Sequence, residues 1–438
     1  MRESKVVERI NVGLIGLGTV GSGVAKMLLA RKEFLARRAG IPLVLKRVCV
    51  RHRNRVRLVR IDPRLITTNP TLILDDPEID VVVELIGGIH PAKELVLKAI
   101  QKGKPVVTGN KALLAHEGAQ LFSAAAKAGT DLYFEASVAA GIPIIKSLRE
   151  ALIGNEVEAL YGILNGTTNF ILTEMSRGDG RSFKSALKEA QERGYAERNP
   201  SLDLKGIDTL HKLSVLVLLA FGKAVEPKQI YVEGIKEITA NDVRYAHDFG
   251  YTIKLVGIAE RDGDELEVRV HPTLLPNNHP LSSVNGVHNA VFMKGDLVGE
   301  LLLYGQGAGR FPTTSAIIAD LVDVARNLKY QSPQRVPLPL PTRQIRRVRR
   351  MGEIEGRYYF RFSCIDRPGV LSRIARILGA HRISIASVLQ KDRRREHIVP
   401  VVMMTHDARE RDVQEALREI DRLPAVRRKS VSIRMERG

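Results

Sequence analysis

The sequence predicts an α/β fold in which a doubly wound parallel sheet is followed by an α+β domain and a C-terminal βαββαβ unit. Three observations support this. Apolar strands alternate with amphipathic helices over residues 1–140, helices give way to strand-like segments over 141–310, and residues 357–438 follow a ferredoxin-like order. With 438 residues, the chain also exceeds what one hydrophobic core usually supports.

The first 140 residues contain apolar runs that are typical of strands, namely Val12–Leu17, Leu43–Val50, Val81–Ile86, Val106–Thr108 and Leu132–Glu135. Helical patterns cover residues 91–102 and 111–128. Because the strands are apolar throughout, helices are expected on both faces of a parallel sheet. Residues Thr314–Leu328 have the pattern of another amphipathic helix, and we expect the segment 311–330 to pack back on this first domain.

The second domain opens with helical patterns over Ile142–Leu152, Thr168–Ser176, Phe183–Arg193 and Asp208–Phe221. Strand-like segments follow between residues 251 and 304, and the sequence RDGD at 261–264 predicts a hairpin. Residues 331–356, rich in proline and arginine, are interpreted as a semi-rigid linker. The last unit, 357–438, is expected to be compact by itself.

Composition excludes several classes of protein. Hydrophobic residues make up 44% of the chain, yet no apolar run reaches the length of about 18 residues that a membrane span needs, so no membrane partner is expected. The N-terminus lacks the pattern of a signal peptide. The two cysteines, Cys49 and Cys364, lie far apart in apolar runs. These features predict a cytoplasmic protein.

The formal net charge of +19 is concentrated in two arginine-rich patches, at 51–60 and 343–350. Clustered arginine neutralises phosphates, so nucleic-acid binding is one interpretation. However, no aromatic residues interrupt the first patch, and neither patch accompanies a nucleic-acid-binding motif. Nucleic acid is therefore not the expected partner.

The run Gly16-Leu-Gly18-Thr19-Val20-Gly21 follows the first strand and opens the first helix. Gly16 is expected to make a tight turn, Gly18 to let a pyrophosphate approach the backbone, and Gly21 to allow close helix packing. Free N–H groups at the helix N-terminus would hold the pyrophosphate. The run therefore predicts a Rossmann dinucleotide-binding domain.

The second strand ends in a basic stretch, without the acid that usually bonds the ribose hydroxyls of NAD. Arg51, Arg53 and Arg57 offer bidentate donors to a 2′-phosphate instead. We therefore predict that NADP(H) is preferred over NAD(H), with a solvated basic edge as the alternative. Ile86 and Gly87, at the end of a later strand, are assigned to the same cofactor site.

Residues Asp208–Phe221 are apolar nearly all round, which predicts a buried helix. Lys212 within it needs a partner, and Asp208 lies one turn earlier on the same face. A lysine whose pKa is tuned by burial and neighbours can donate and accept a proton. On the residues alone, a structural Asp–Lys pair is an equal alternative.

Four segments occur together: GNKA at 109–112, NGTTN at 165–169, GYAERNPS at 194–201 and DLKGID with Lys212 at 203–212. Their order and spacing resemble homoserine dehydrogenase. The resemblance implies NAD(P)-dependent interconversion of L-homoserine and L-aspartate 4-semialdehyde, a step of threonine and methionine biosynthesis. A related dinucleotide-dependent dehydrogenase is the enzymatic alternative. An amino-acid-responsive regulator on the same scaffold is another.

The resemblance also assigns the catalytic residues. It implies that Lys212 donates and accepts the proton and that Asp208 orients it. Lys111 would be a second lysine, in contact with both substrate and nicotinamide. It follows a strand at the carboxyl edge of the sheet, where ligands bind, although a surface lysine at a helix start is the alternative.

The substrate-binding residues are likewise implied by the resemblance. Glu197 and Asp203 would face the substrate's ammonium group, because a zwitterion needs an acidic partner for its amine. Asn165, Gly166 and Thr167 end a predicted strand and precede a helix, so their backbone N–H groups would hold the carboxylate.

Two further loops resemble parts of the same family. Glu135, Val138, Ala140 and Ile142 match its monovalent-cation loop, in which backbone carbonyls with one carboxylate suit sodium. An ordinary strand-to-helix turn is the alternative. A glycine-rich run that ends at Gly309 matches the loop beside the nicotinamide, although it carries glutamine where many relatives carry arginine.

Residues 364–371 resemble the start of an ACT domain, an amino-acid-binding module. Loop N–H groups and Asp366 suit a small zwitterion, and we predict threonine as the effector. A capped helix with proline in its first turn is the alternative. ACT domains pair edge to edge, which implies a homodimer or higher oligomer. Arg382 stands where glycine is usual, and because arginine does not adopt positive φ cheaply, that turn is expected to differ.

Overall fold

The computed structural model of this chain describes residues 8–53, 58–178, 180–339, 345–390 and 398–437. Its strands form one six-stranded and one twelve-stranded sheet. Within the described ranges, no helix combines the length and the apolar character that crossing a membrane requires.

The first domain has the strands β1 (Ile10–Ile15), β2 (Leu43–Cys49), β3 (Ile66–Thr67), β4 (Val81–Glu84), β5 (Val106–Thr108) and β6 (Leu132–Tyr133). They pair in parallel in the order β3-β2-β1-β4-β5-β6. That is the doubly wound order of dinucleotide-binding domains, so the predicted fold is confirmed. β1 ends at Ile15 rather than Leu17 because Gly16 has φ +103° and turns the chain.

Helices cover both faces of this sheet: α1 (Thr19–Ala30), α2 (Lys32–Ala39), α3 (Thr71–Leu74), α4 (Ala92–Gln101) and α5 (Lys111–Ala128). The predicted bounds of α5 are matched at both ends. Its start is fixed by Asn110, whose Oδ1 accepts a hydrogen bond from the backbone N–H of Leu113 at 3.1 Å. Its end is fixed by Gly129 in the left-handed conformation.

The second domain contains the helices α6 (Ile144–Lys146), α7 (Gly166–Met175), α8 (Phe183–Glu192), α9 (Ser201–Leu204), α10 (Ile207–Phe221) and α11 (Ala240–Asp248). Its strands are β7 (Val157–Ile163), β8 (Tyr231–Val232), β9 (Tyr251–Asp262), β10 (Glu265–Pro276), β11 (His288–Gly295) and β12 (Gly299–Gln306). The order β12-β11-β7-β9-β10 is antiparallel, and the β9–β10 hairpin turns where RDGD predicted it. The predicted helix Ile142–Leu152 instead begins after Pro143 and passes into a π-helical turn at Ser147–Ala151.

The helix α12 (Arg310–Lys329) leaves the second domain and packs on α1 of the first. The two helices meet at Gly23, where a Cβ atom would lie 2.2 Å from Thr314 Oγ1. Asp320 of α12 also accepts the backbone N–H of Glu135 at 2.9 Å. The chain is thereby tied back to the domain in which it began.

The C-terminal unit contains β14 (Glu355–Ile365), α13 (Val370–Ala380), β15 (Ile385–Leu389), β16 (Ile398–Thr405), β17 (Ala408–Arg409), α14 (Glu410–Ile420) and β18 (Val426–Met435), preceded by β13 (Arg347–Val348). The predicted βαββαβ order is confirmed. The unit is not separate, however, because β18 pairs in parallel with β10 through Arg434 and Met435. An unpaired edge of β10 offers free N–H and C=O groups, and β18 uses them.

Three short segments cover that edge of β10 in succession. β13 pairs near its start, β8 pairs at Arg269 and Val270, and β18 pairs near its end, all in parallel. Residues 345–350, the described part of the arginine-rich half of the predicted linker, therefore lie on the second domain. Arg347 and Arg349 both bind the carboxylate of Glu265, at 2.6 and 2.8 Å. These ion pairs account for part of the basic patch at 343–350.

The turn after α13 corrects one prediction. Arg382 does adopt a positive φ, of +59°. The Ile383 N–H donates to the Leu378 carbonyl at 2.9 Å, and the Arg382 N–H donates to the Gly379 carbonyl at 3.0 Å. These are the two hydrogen bonds of a Schellman motif. They offset the roughly 1–2 kcal/mol that the left-handed conformation costs an L-residue.

Candidate active site

The loop after β1 is shaped by contacts that exclude larger residues. A Cβ on Gly16 would lie 2.6 Å from the Leu85 carbonyl oxygen, and a Cβ on Gly21 would lie 2.1 Å from the Gly16 carbonyl oxygen. Gly18 faces open space instead. Gly16 and Gly21 therefore pack the loop tightly, while Gly18 leaves room above the N-terminus of α1.

A cleft of about 1080 Å³ opens at this loop, large enough for a dinucleotide. The cofactor residues predicted from sequence that line it are Gly16, Gly18, Thr19, Arg51, Ile86 and Gly87. Val20 and Gly21 lie in α1. Arg53 donates to the Pro63 carbonyl at 3.2 Å, and Arg57 lies outside the described residues.

Glu84 organises the wall of this cleft, and sequence reasoning missed it. Its side chain is fully buried at the end of β4. One carboxylate oxygen accepts the backbone N–H of Ile86 at 2.8 Å, and the other accepts the hydroxyl of Thr108 at 2.6 Å. The signal in the sequence was a single acid at the end of an otherwise apolar strand, since a buried carboxylate requires such donors.

Lys111 lies where the first domain faces the second. Asn110, which caps α5, donates its side-chain N–H to the Gly88 carbonyl at 2.7 Å, so the start of α5 is tied to the loop after β4 that lines the cleft. The ammonium group of Lys111 forms an ion pair with Asp208 of α10. The two domains are thus joined by a charge contact next to the cleft.

Asp208 is buried between two lysines. Its Oδ2 accepts a hydrogen bond from Lys212 Nζ at 2.8 Å, and Lys111 pairs with Oδ1. The side chains of Asp208 and Lys212 are 6% and 8% exposed. Burial alone would raise the pKa of Asp208, but the charges of Lys212 and Lys111 outweigh it and hold that pKa well below its usual value. Asp208 therefore remains ionised.

The pKa of Lys212 is determined mainly by burial, which lowers it, and the charge of Asp208 opposes this shift only in part. Its ammonium group also donates to the Leu164 carbonyl. The amine is therefore held in one place and releases its proton more readily than an exposed lysine.

Asn165 holds a second carboxylate beside the first. Its Nδ2 donates to Asp203 at 2.7 Å and to Asp208 at 2.9 Å, while its Oδ1 caps α7 by accepting the N–H of Thr168 at 2.8 Å. Burial and the charge of Asp208 raise the pKa of Asp203. Only a backbone role was predicted for Asn165, whereas its side chain joins two acids.

Known proteins match both the cofactor domain and the domain that carries these lysines. The homoserine dehydrogenase family model matches residues 143–322, and the model for the NAD-binding domain of homoserine dehydrogenase matches 16–135. Curated homoserine dehydrogenases from Neisseria gonorrhoeae and Pseudomonas aeruginosa are 42% and 44% identical to the chain. The alignments cover 98% of this chain and 98% and 99% of theirs. The chain belongs to the homoserine dehydrogenase family.

Solved homoserine dehydrogenases share the fold. The crystal structure from Thiobacillus denitrificans has a TM-score of 0.88 at 45% identity, covering 98% of both chains. A hyperthermophilic archaeal homoserine dehydrogenase in complex with NADPH has a TM-score of 0.61 at 26% identity, covering 72% of this chain and 97% of the other. An ACT-domain model matches residues 358–425. The predicted enzyme is confirmed, and the regulator alternative gains no support.

Other residues predicted for the substrate site of this homoserine dehydrogenase lie around α7. Gly166 is the first residue of α7 and packs so closely that a Cβ would lie 2.6 Å from the Val287 carbonyl oxygen. The hydroxyl of Thr167 donates to the Tyr195 carbonyl at 2.7 Å. Glu197 lies two residues after Tyr195, in the loop between α8 and α9, and its side chain is exposed.

The predicted cation loop has a buried carboxylate that is already engaged. Glu135 accepts hydrogen bonds from the backbone N–H groups of Ile145 at 3.0 Å and Lys146 at 2.8 Å, so it caps the helix start that follows Pro143. Ala139, within the loop, has φ +47°. Gly309, which precedes α12, has φ +113°, a conformation that favours glycine.

Proposed function

We propose that Lys212 transfers the proton in the reaction of this homoserine dehydrogenase, the interconversion of L-homoserine and L-aspartate 4-semialdehyde. Oxidation removes a hydride from the hydroxyl-bearing carbon and a proton from its oxygen. A bound nicotinamide cofactor supplies the hydride chemistry. The observation that carries the proposal is the buried contact of Lys212 with Asp208, beside Lys111.

Lys212 suits both directions of the reaction because burial lowers its pKa. As a neutral amine it accepts the hydroxyl proton, and as an ammonium it returns a proton to the aldehyde oxygen. Asp208 stays ionised, orients the amine and stabilises its charged form. Lys111, which is 41% exposed, would contact the substrate from the cofactor side.

The residues around Lys212 would also hold the amino-acid part of the substrate. Asp203 is half-buried and has a raised pKa, so a cationic amine beside it relieves repulsion from Asp208. Glu197 would contact the amine from its exposed loop. The substrate carboxylate would accept hydrogen bonds from the backbone N–H groups of Asn165, Gly166 and Thr167 at the start of α7.

We propose NADP(H) as the preferred cofactor. Arg51 lines the cleft, and a guanidinium matches a 2′-phosphate bidentately. The archaeal relative solved with NADPH is consistent with that preference. Arg53 and Arg57 would add positive charge, and Gly309 would face the nicotinamide.

The proposal is tested by the absorbance of reduced nicotinamide, with purified protein, L-homoserine and either NADP or NAD. We expect reduction of both, with NADP favoured. Arg51→Ala should narrow the ratio of kcat/KM between NADP and NAD by about tenfold, since one charge-assisted contact contributes roughly 1.5 kcal/mol. Equal Kd values for NAD and NADP in calorimetry would contradict the preference. Binding of the cofactor without its reduction would contradict L-homoserine as the substrate.

A monovalent cation, with sodium as the expected ion, would bind the backbone carbonyls of Glu135, Val138, Ala140 and Ile142. The strained Ala139 between them supports a loop shaped for such carbonyls. The Glu135 carboxylate is engaged at the helix start and would act from outside the ligand set. Activity that is equal in sodium and choline salts would contradict this site.

A homo-oligomer is proposed because β12 is an edge strand with exposed Leu302 and Tyr304. Threonine is proposed as the ACT-domain ligand, and kinetics unchanged by millimolar threonine would contradict it.

A cytoplasmic location is supported by two buried free thiols, Cys49 and Cys364. We propose the same domain divisions as the sequence predicts. Residues 1–140 with 311–330 form the cofactor domain, 141–310 the substrate domain, 331–356 the linker and 357–438 the ACT domain.

A further inference from the structure

Arg434, near the end of β18, joins the ACT domain to the catalytic part. Its guanidinium, 9% exposed, binds Glu410 of α14 at 2.6 and 2.9 Å. It also donates to Glu233 of the second domain at 2.7 Å and to the hydroxyl of Tyr231 at 3.0 Å. One side chain therefore links an ACT helix with the segment 231–235.

The segment 231–235 lies directly on the turn 203–208, which carries Asp203 and leads into Asp208 of α10. A Cβ on Gly234 would lie 2.1 Å from the Leu204 carbonyl oxygen, and the Ile235 N–H donates to that oxygen at 3.0 Å. Leu204 immediately follows Asp203. Because the contact is between backbones, no flexible side chain is present to absorb a shift.

A second contact fixes the far end of the same turn. Gly206, with φ +82°, precedes α10, and a Cβ there would lie 3.0 Å from Val232 Cγ2. Asp208 follows two residues later. The segment is itself held on β10, because the Glu233 N–H donates to the Val270 carbonyl at 2.8 Å. A displacement of Glu233 would therefore be expected to shift the 203–208 turn at both Leu204 and Gly206.

Another buried arginine crosses the same junction but reaches a different element. Arg361 of β14 binds Asp242 at 2.6 and 3.1 Å, and Asp242 lies at the start of α11. Asp242 also accepts the hydroxyl of Tyr359 at 3.0 Å. This contact docks the ACT domain on α11 and makes no hydrogen bond to 231–235 among the described residues.

We propose that Arg434 is a positioning residue for homoserine binding, acting through Glu233 on the turn 203–208. The inference rests on the proposed role of Asp203 as partner of the substrate ammonium group. It implies that a change at the ACT domain reaches the active site first as a change in KM for homoserine. The cofactor cleft lies on the other domain and is not touched by this path.

Glu233→Met tests the inference at the more exposed end of the contact, where folding is least at risk. We expect KM for homoserine to rise by about tenfold, within the usual range of coupling between sites. KM for NADP should stay within about twofold, and kcat should change less than KM. Glu233→Gln keeps an acceptor oxygen for Arg434 and should restore most of the affinity.

Arg361→Met is the matched control, since it removes a buried arginine from the same junction. It should lower the unfolding temperature with KM for homoserine within about twofold of wild type. An equal rise of KM in Arg361→Met and Glu233→Met, or no rise in Glu233→Met, would overturn the inference.

Asp203→Asn separates the two proposals. A KM for homoserine that rises in Asp203→Asn but not in Glu233→Met overturns the positioning role alone. A KM that is unchanged in Asp203→Asn overturns the ammonium-binding role, and with it the inference that rests on it.

Discussion

The active site and the junction of the second domain with the ACT domain both bury clusters of charge, but the two clusters are built in opposite ways. In the active site one carboxylate, Asp208, lies between Lys111 and Lys212. At the junction one guanidinium, that of Arg269, contacts three carboxylates, with Glu260 at 3.1 Å and Glu436 at 3.5 Å, and with Glu267.

The choice of cation explains what each cluster does. Burial lowers the pKa of Lys212, which brings the amine closer to exchanging its proton. Burial alone would also lower the pKa of Arg269, but the surrounding carboxylates outweigh burial and raise that pKa above its usual value. Arginine keeps its charge in either case. Of these two clusters, the one in which a proton must move therefore contains lysine, and the one in which geometry must be kept contains arginine.

Lys212→Met gives the largest effect expected from this contrast. Turnover should fall by about 10²–10⁴-fold, the usual contribution of general acid–base catalysis, while the Kd for NADP stays unchanged. Lys254→Met is the control. Lys254 is also buried, with its pKa lowered to about 8 by burial, and it donates to Asn169, Val284 and Asn285.

Steady-state kinetics and calorimetry distinguish these two lysines. Lys254→Met should be less stable, with turnover within about tenfold of wild type. If Lys212→Met kept more than about a tenth of wild-type turnover, the acid–base role would be wrong.

Arg269→Met should act on stability rather than chemistry. It leaves Glu260, Glu267 and Glu436 without their shared cation, and breaking a buried ion contact usually costs about 3–5 kcal/mol. Denaturant unfolding at pH 8 measures the loss, and turnover per folded molecule should be retained. An unfolding free energy equal to that of wild type would show that the ion pairs of Arg269 do not stabilise the junction.

Glu436→Gln should give the smallest effect and tests the same cluster by pH. Burial and the charges of Glu260 and Glu267 raise the pKa of Glu436 to about 7. A carboxyl group with a raised folded-state pKa contributes stability below its unfolded pKa and loses it as pH rises to about 7. The wild type should therefore lose on the order of 1–3 kcal/mol between pH 4.5 and 7, a slope that glutamine removes.

Unfolding temperatures of wild type and Glu436→Gln across this pH range measure the difference. Glu237→Gln, at an exposed carboxylate of the second domain, should leave the slope unchanged. Parallel pH profiles for wild type and Glu436→Gln would contradict the raised pKa.

Local signals predicted much of the fold and part of the site. The glycine run at 16–21 predicted strand, turn and helix, because Gly16 and Gly21 pack against neighbours within the same unit while Gly18 leaves space above the helix start. The pairing of Lys212 with Asp208 followed from helical spacing alone. Segments whose periodicity decides their structure, such as α5, were therefore predictable to the residue.

Features that depend on distant parts of the chain were not predictable. In the sequence, Arg347 and Arg349 belong to an unpaired basic patch. In the structure both form ion pairs with Glu265, at the start of β10. Arg382 was expected to avoid the left-handed region, and its backbone hydrogen bonds decided otherwise. The side chain of Asn165 bridges two acids that lie 38 and 43 residues away in sequence. The role of Glu197 remains a prediction.

The edge of β10 that β13, β8 and β18 complete in turn also bears on how the protein is made. β8 has left the ribosome by the time β10 emerges, whereas β13 and β18 follow much later. A nascent chain that has extended only through α12 therefore presents both ends of this edge unpaired. Such an edge recruits other strands, so this stage of synthesis is where we expect the chain to need protection from aggregation.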